Sequence, residues 1–165
     1  MKNILVINTG GTFNKVYNER KGHLEVSANN HAIEKIINKA FKDNLDIKII
    51  GMLYKDSIKL VDEDRYIMMG SMKNYDKVLI IHGTDTMDIT ATFLAKFIKN
   101  KTIILTGAMK PFSIEPIEAT ANFSIALEFL KQTEELGIFI GMHGLVDKHY
   151  KIKKNRILGR FELRN

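Results

Sequence analysis

The stretch Val78-Leu79-Ile80-Ile81-His82-Gly83-Thr84-Asp85-Thr86-Met87 sets the reading of the whole chain. Four aliphatic side chains in a row leave no polar face, so the strand they form is covered on both sides, as in a parallel sheet. His82 and Gly83 end the run, and from 86 to 99 the spacing of Ile89, Phe93 and Phe97 beside Leu94 and Ile98 is helical. A buried strand that stops at a glycine and hands over to a helix presents its next side chains at the carboxyl edge of the sheet, where such sheets bind ligands. Thr84 and Asp85 occupy that place. His82 reads as a core histidine at the strand end, and Thr86 as the cap of the helix.

The same unit recurs along the chain. Residues 3 to 8 are broken by Thr9-Gly10-Gly11-Thr12, and 46 to 54 run into Lys55-Asp56-Ser57. Residues 102 to 105 end in Thr106-Gly107-Ala108-Met109-Lys110-Pro111, and 137 to 142 form a fifth apolar strand. Helices fall between them: 31 to 42, with Ile33, Ile36, Ile37, Ala40 and Phe41 on one face; an acid-led helix from Asp62 to about Lys73; and 116 to 132, with Ala119, Phe123, Ala126, Leu127 and Leu130 together. The polar stretch from Phe13 to Asn30 lacks periodicity and reads as a long loop, of a length typical of lids. Residues 145 to 152 read as a short hairpin, followed by Lys153-Lys154-Asn155-Arg156.

Strands alternating with helices predict a single α/β domain over residues 1 to 165. The expected fold is a three-layer, doubly wound, mostly parallel sheet of flavodoxin-like or Rossmann-like type, with a C-terminal hairpin. The polar, glycine-bearing segments at 9–12, 56–57, 82–86 and 106–110 all follow strands, so they converge on one rim.

Composition removes several classes of function. A chain of 165 residues suits one domain, able to bury about 70% of its unfolded surface without staples. The lack of cysteine excludes a disulfide framework and zinc-thiolate sites and fits a reducing compartment, so a cytoplasmic location is expected. The apolar run Ile4 to Ile7 is closed by Asn8 and is too short for a signal peptide, and no stretch approaches the roughly 20 apolar residues of a membrane span. The net charge of +6 is local: residues 1 to 147 hold 18 Lys+Arg against 18 Asp+Glu, while 148 to 165 hold seven basic residues against Glu162. Such a tail could attract nucleic acid or an anionic surface. It has no interleaved aromatics beyond Tyr150 and Phe161, so neither a nucleic acid nor a membrane partner is expected.

The chemistry available is narrow. The chain has neither a Gly-Lys-Ser/Thr ending nor a Gly-x-Gly-x-x-Gly, which leaves nucleotide loops unsupported. Without cysteine, the nucleophile candidates are Thr12, Thr84, Ser57 or an activated water. A threonine hydroxyl needs a base nearby. Asp85 beside Thr84, with a lysine from the basic tail, could form that relay, and the glycine turns at 10–11 and 107 could offer amides to an oxyanion. Acyl transfer, most simply hydrolysis, suits this inventory, with no metal or organic cofactor implied.

Thr9-Gly10-Gly11-Thr12, His82-Gly83-Thr84-Asp85-Thr86-Met87 and Thr106-Gly107-Ala108-Met109-Lys110-Pro111 resemble the three signature motifs of bacterial L-asparaginases, in order and each after a predicted strand. The resemblance implies Thr12 as nucleophile, with Thr84 and Asp85 as the second hydroxyl and the carboxylate. Asp56-Ser57 ahead of Glu63-Asp64 is similar to the family segment whose serine holds the substrate α-carboxylate. Lys153, two residues before Asn155, resembles the lysine that pairs with the aspartate and activates Thr84, and Tyr17 the loop tyrosine that contacts the nucleophile. Gly11, Ser57, Gly83, Asp85 and Ala108 are the implied substrate-binding residues, Asp85 holding the α-ammonium and the Ala108 backbone lying near the leaving amide. The sequence departs from the family pattern at Ile58, in place of a polar substrate contact, at Lys110, in place of arginine, and at Glu118, in place of aspartate.

The expected function is that of a threonine amidohydrolase converting L-asparagine to L-aspartate and ammonia through an acyl-enzyme. The resemblance implies asparagine over glutamine, with glutamine a minor substrate; the small, polar residues at the rim would suit either, since one methylene is worth about 1 to 3 kcal/mol of discrimination. The loss of polarity at Ile58 implies a high KM. The resemblance is to the N-terminal domain in its short, single-domain form, without the usual C-terminal domain, and implies a homodimer or higher homo-oligomer. The alternative is a non-catalytic amino-acid-binding or regulatory module on the same fold.

Overall fold

Val78, Leu79, Ile80 and Ile81 are all fully buried, which requires cover on both faces of their strand. The computed structural model, which describes residues 3–42 and 46–165, supplies it. Five parallel strands, β1 (Ile4–Gly10), β4 (Ile47–Lys55), β5 (Lys77–Ile81), β6 (Thr102–Thr106) and β7 (Gly137–Met142), and an antiparallel edge strand, β8 (Leu145–Lys148), lie in the order β4-β1-β5-β6-β7-β8. Among the parallel strands, this is the 2-1-3-4-5 order of flavodoxin-like sheets, whose direction of winding reverses between β1 and β5.

Alternation along each strand sends its side chains to two cores. Leu5, Ile7, Val78, Ile80, Ile103, Leu105, Ile138 and Ile140 face α2 (Asp62–Ser71) and α3 (Met87–Phe97), meeting Met68, Ala91 and Leu94. Ile4, Val6, Leu79, Ile81, Ile104 and Phe139 face α1 (His31–Ala40) and α4 (Pro116–Gln132), meeting Ile33, Ile36, Phe123, Ala126 and Leu130. Each fully buried aliphatic contributes about 1.5 to 3 kcal/mol, so the double cover explains why the strands read as runs rather than as alternations.

Two segments differ from the sequence reading. Residues 13–30, read as a loop, contain a hairpin of β2 (Lys15–Asn18) and β3 (His23–Val26), with Tyr17 opposite Leu24. Its turn is held by Asn18 Oδ1, which accepts from the amides of Arg20 and Lys21, and by Gly22 at φ 70. Neither face of this ribbon is buried, so no apolar alternation marks it. The hairpin read at 145–152 is displaced: β8 turns back on β7 at His143-Gly144, and the second hairpin is β9 (Ile152–Asn155) with β10 (Arg160–Leu163).

Candidate active site

The ends of β1 and β5 flank the winding reversal, and their loops meet through bare backbone. A Cβ added at Gly11 would lie 2.5 Å from Gly83 Cα, and one added at Gly83 would lie 2.7 Å from Ser57 Cβ. Gly11 also has φ 71, the left-handed region that favours glycine. Three loops thereby nest, with Thr12 and Thr84 each one residue beyond the contact. Gly107 approaches in the same way, its added Cβ 2.3 Å from His82 O. Thr9 Oγ1 donates to Ile81 O at 2.7 Å and Thr106 Oγ1 to Gly141 O at 2.7 Å, which ties the strand ends sideways.

At the centre, Lys154 Nζ donates to Thr84 Oγ1 and to Asp85 Oδ1, both at 2.8 Å. Arg156 adds Nη1 to Asp85 Oδ1 and Nη2 to Asp85 O, each at 2.8 Å. The hydrogen bond from Lys154 holds the Asp85 carboxyl below the usual range, against the opposing effect of partial burial, and Arg156 adds to it. Thr84 is nearly buried, and its hydroxyl turns to Met109 Sδ at 3.5 Å.

The lysine in this cluster is Lys154, a correction to the expectation for Lys153. Lys153 instead lies 3.6 Å from Glu162 Oε1. The cause is strand parity: β9 pairs Lys154 with Phe161 and Lys153 with Glu162, and Ile152, Lys154 and Phe161 face the molecule while Lys153 and Glu162 face away. Lys-x-Asn spacing selects Lys153, whereas period two counted from the buried Ile152 selects Lys154.

His82 is the core histidine expected at the strand end, and both of its ring nitrogens have partners. Its Nδ1 lies 2.7 Å from Gly83 O, which can only accept, so Nδ1 carries the proton and Nε2 accepts from the Thr90 hydroxyl at 2.7 Å. Arg65 Nε donates to the same Thr90 oxygen at 2.9 Å. Complete burial pushes His82 down from 6.5 to about 4, so the ring is neutral at pH 7. It orients the Gly83 carbonyl from beneath the rim.

Other expected residues are placed as follows. Thr12 opens a single 3-10 turn, Thr12–Asn14, directly after the Gly11–Gly83 contact. Ser57 is buried on the rim, its Oγ accepting from Thr86 N at 3.2 Å and its carbonyl from Thr86 Oγ1 at 2.8 Å. Thr86 therefore stands at the N-cap of α3 without capping it through its side chain, because its hydroxyl goes to Ser57. Ala108 is buried between β6 and α4. Tyr17 is 58% exposed on the β2–β3 hairpin, opposite Leu24. The amides of Gly10 and Gly11, expected as oxyanion donors, are engaged by Asn8 Oδ1 and Lys55 O at 3.1 and 3.0 Å.

Sequence reasoning missed Arg156 and His143. Arg156 lies two residues after Lys154, on the same side of the hairpin, which a parity argument could have shown. His143 Nε2 meets Glu118 Oε2 at 2.6 Å, a contact between residues far apart in sequence that leaves no local signal.

A family model for the N-terminal domain of asparaginases matches residues 3–160. The L-asparaginase of Thermococcus kodakarensis is 28% identical over 94% of this chain and 48% of its own length. Its thermostable enzyme, as a solved structure, superposes with a TM-score of 0.83 over 100% of this chain and 52% of that one. A probable periplasmic L-asparaginase of Haemophilus influenzae is 27% identical over 88% of the chain and 44% of its own length. One of the subunits of the glutamyl-tRNA(Gln) amidotransferase of Archaeoglobus fulgidus is 24% identical over 94% of the chain and 40% of its own length. The chain thus spans about half the length of the curated relatives it matches. No helix among the described residues is long and apolar enough to cross a membrane.

Proposed function

Because the chain belongs to the asparaginase family, we propose that it is an amidohydrolase that converts L-asparagine to L-aspartate and ammonia through a threonine nucleophile. The observation that carries this reading is Lys154 Nζ at 2.8 Å from both Thr84 Oγ1 and Asp85 Oδ1, beside the Gly11–Gly83 contact. Thr12 Oγ1 attacks the side-chain amide carbon, and its proton passes to the relay of Thr84 and Lys154. Asp85, bonded to both Lys154 and Arg156, keeps the lysine beside Thr84 through the step. That proton then goes to the leaving nitrogen, ammonia departs, and an acyl ester remains on Thr12. Water, deprotonated by the same relay, releases aspartate. Ser57 and Gly83 bind the amino-acid end with Asp85, Ala108 lies by the leaving amide, and Tyr17 acts from its hairpin. The protein works in the cytoplasm as a homo-oligomer.

Ammonia release from millimolar L-asparagine tests this, comparing the unaltered protein with Thr12→Ala, Lys154→Met and Lys153→Met, with L-glutamine alongside. Loss in the first two and retention in the third supports the assignment. Asparagine binding by calorimetry without ammonia would favour the binding-module reading instead. The likeness to a component of an amidotransferase favours a further reading, in which the amide nitrogen is transferred rather than released. Isotope-labelled amide nitrogen recovered in an added activated carboxyl acceptor, in place of free ammonia, would point there.

A further inference from the structure

The two side-chain contacts of Thr84 come from different parts of the chain, Lys154 on the β9–β10 hairpin and Met109 on the loop after β6. Both segments lead back to one imidazole. His143 Nδ1 accepts from Phe161 N at 3.1 Å, and Phe161 is the cross-strand partner of Lys154. A backbone amide can only donate, so Nδ1 is bare, and the neutral ring carries its proton on Nε2. That proton goes to Glu118 Oε2 at 2.6 Å. The other oxygen of the same carboxylate accepts from Met109 N at 2.8 Å and Lys110 N at 2.9 Å.

The backbone at His143 is set for this purpose. Its φ of 54 lies in the left-handed region, which a non-glycine residue seldom takes. Its own amide donates to Asn122 Oδ1 at 3.0 Å, while Asn122 Nδ2 donates to Gly107 O at 2.9 Å. The Phe161 ring stands edge-on to the imidazole, centroids 5.8 Å apart. Glu118 is long enough to serve two amides and still reach the ring.

We propose that His143 is a positioning residue that registers Lys154 and Met109 against Thr84, by joining β10 to Glu118 and hence to the 109–110 loop. The proposal rests on the reading of Lys154 as the proton relay. It predicts that loss of the ring moves the relay without removing any group that touches substrate, so kcat suffers and KM does not.

Two variants separate positioning from simple stability. His143→Gly removes the ring and relieves the backbone; His143→Asn tolerates the same backbone and restores an acceptor near the place of Nδ1. For the glycine variant, kcat on L-asparagine is expected to fall about tenfold to a hundredfold with KM within about twofold. Hydrogen exchange at the Phe161 amide is expected to quicken in parallel. The asparagine variant should regain Phe161 protection and most of kcat. A glycine variant that melts earlier but keeps kcat would overturn the proposal, as would an asparagine variant that regains rate without regaining protection. If the unaltered protein releases no ammonia, the hydrolase reading fails by itself. Positioning is then decided by Phe161 exchange and the side-chain NMR shift of Lys154, which moves in the glycine variant if His143 sets its place and stays if it does not.

Discussion

The molecule has two short antiparallel ribbons outside its sheet, and they are anchored in opposite ways. The β9–β10 ribbon is fastened through side chains that point inward: Ile152 and Phe161 enter the core, Lys154 reaches Thr84, and His143 holds Phe161 N. The β2–β3 ribbon is fastened mainly at its base, where Asn14 Nδ2 donates to the carbonyls of Ser27 and Asn29 and Ser113 Oγ donates to Lys15 O. Lys15 adds an ion pair to Asp56 at 3.0 Å. Its outer part, with Tyr17, Glu19 and Arg20, is exposed. Ribbons of equal length can thus be held along their length or mainly at their base, according to whether their inward positions carry side chains that find partners.

The widest contrast is between neighbouring lysines of the anchored ribbon. Lys154→Met is expected to lower kcat about 10²- to 10⁴-fold, the range for losing an acid–base group. Lys153→Met should leave the rate nearly unchanged, and equal losses in steady-state kinetics would mean that the parity of β9 is wrong.

A second test concerns the rim beneath both ribbons. His82 is depressed from 6.5 to about 4, so the unfolded chain binds its proton first as pH falls. The stability it contributes is complete above about pH 6.5 and is lost progressively down to about pH 4, on the order of 3 kcal/mol in all. Denaturant melts across that window should show the slope, and His82→Gln should flatten it. Asp85 has the depressed pKa of a paired carboxylate, so its ion pairs outlast those of an unperturbed aspartate as pH falls. Exchange of β9–β10 amides should therefore quicken as acid protonates Asp85, and Asp85→Asn should remove that dependence.

The nesting of the loops is tested by Gly83→Ala, whose methyl would stand 2.7 Å from Ser57 Cβ and 3.0 Å from Ser57 N. Forced movement of this kind costs about 1 to 3 kcal/mol, and it should appear in thermal melts together with a loss of activity. The smallest effect belongs to the ribbon held at its base. Tyr17→Phe is expected to lower kcat/KM by no more than about threefold; a tenfold loss would show that the ribbon carries Tyr17 into the site during turnover.

The parallel sheet was legible because runs such as Val78 to Ile81 have no polar face and can belong only to a doubly covered strand. The rim was legible for the same reason, since in this fold every polar turn after such a strand falls at one edge. Thr84 and Asp85 could be placed beside a basic residue of the tail, but which lysine depended on strand parity, and a motif spacing carried over from relatives does not encode parity here. The β2–β3 ribbon was hidden because both its faces meet solvent, so neither Val16 nor Leu24 repeats in a pattern that burial would impose. His143 and Glu118 escaped because their partnership is made only by the fold. The commitments of the Gly10 and Gly11 amides escaped likewise, since Asn8 and Lys55 reach them through the geometry of the turn.

The glycine nesting also bears on how the chain reaches its folded state. Gly11, Ser57 and Gly83 meet only when β1, β4 and β5 are already in place, and the neighbouring bond from Thr9 to Ile81 closes a separation of 72 residues. Contacts of such long range are entropically costly to close and therefore form late. The cleft should be absent from early compact species, and a small molecule held across these loops would favour the completed sheet over every partly folded form.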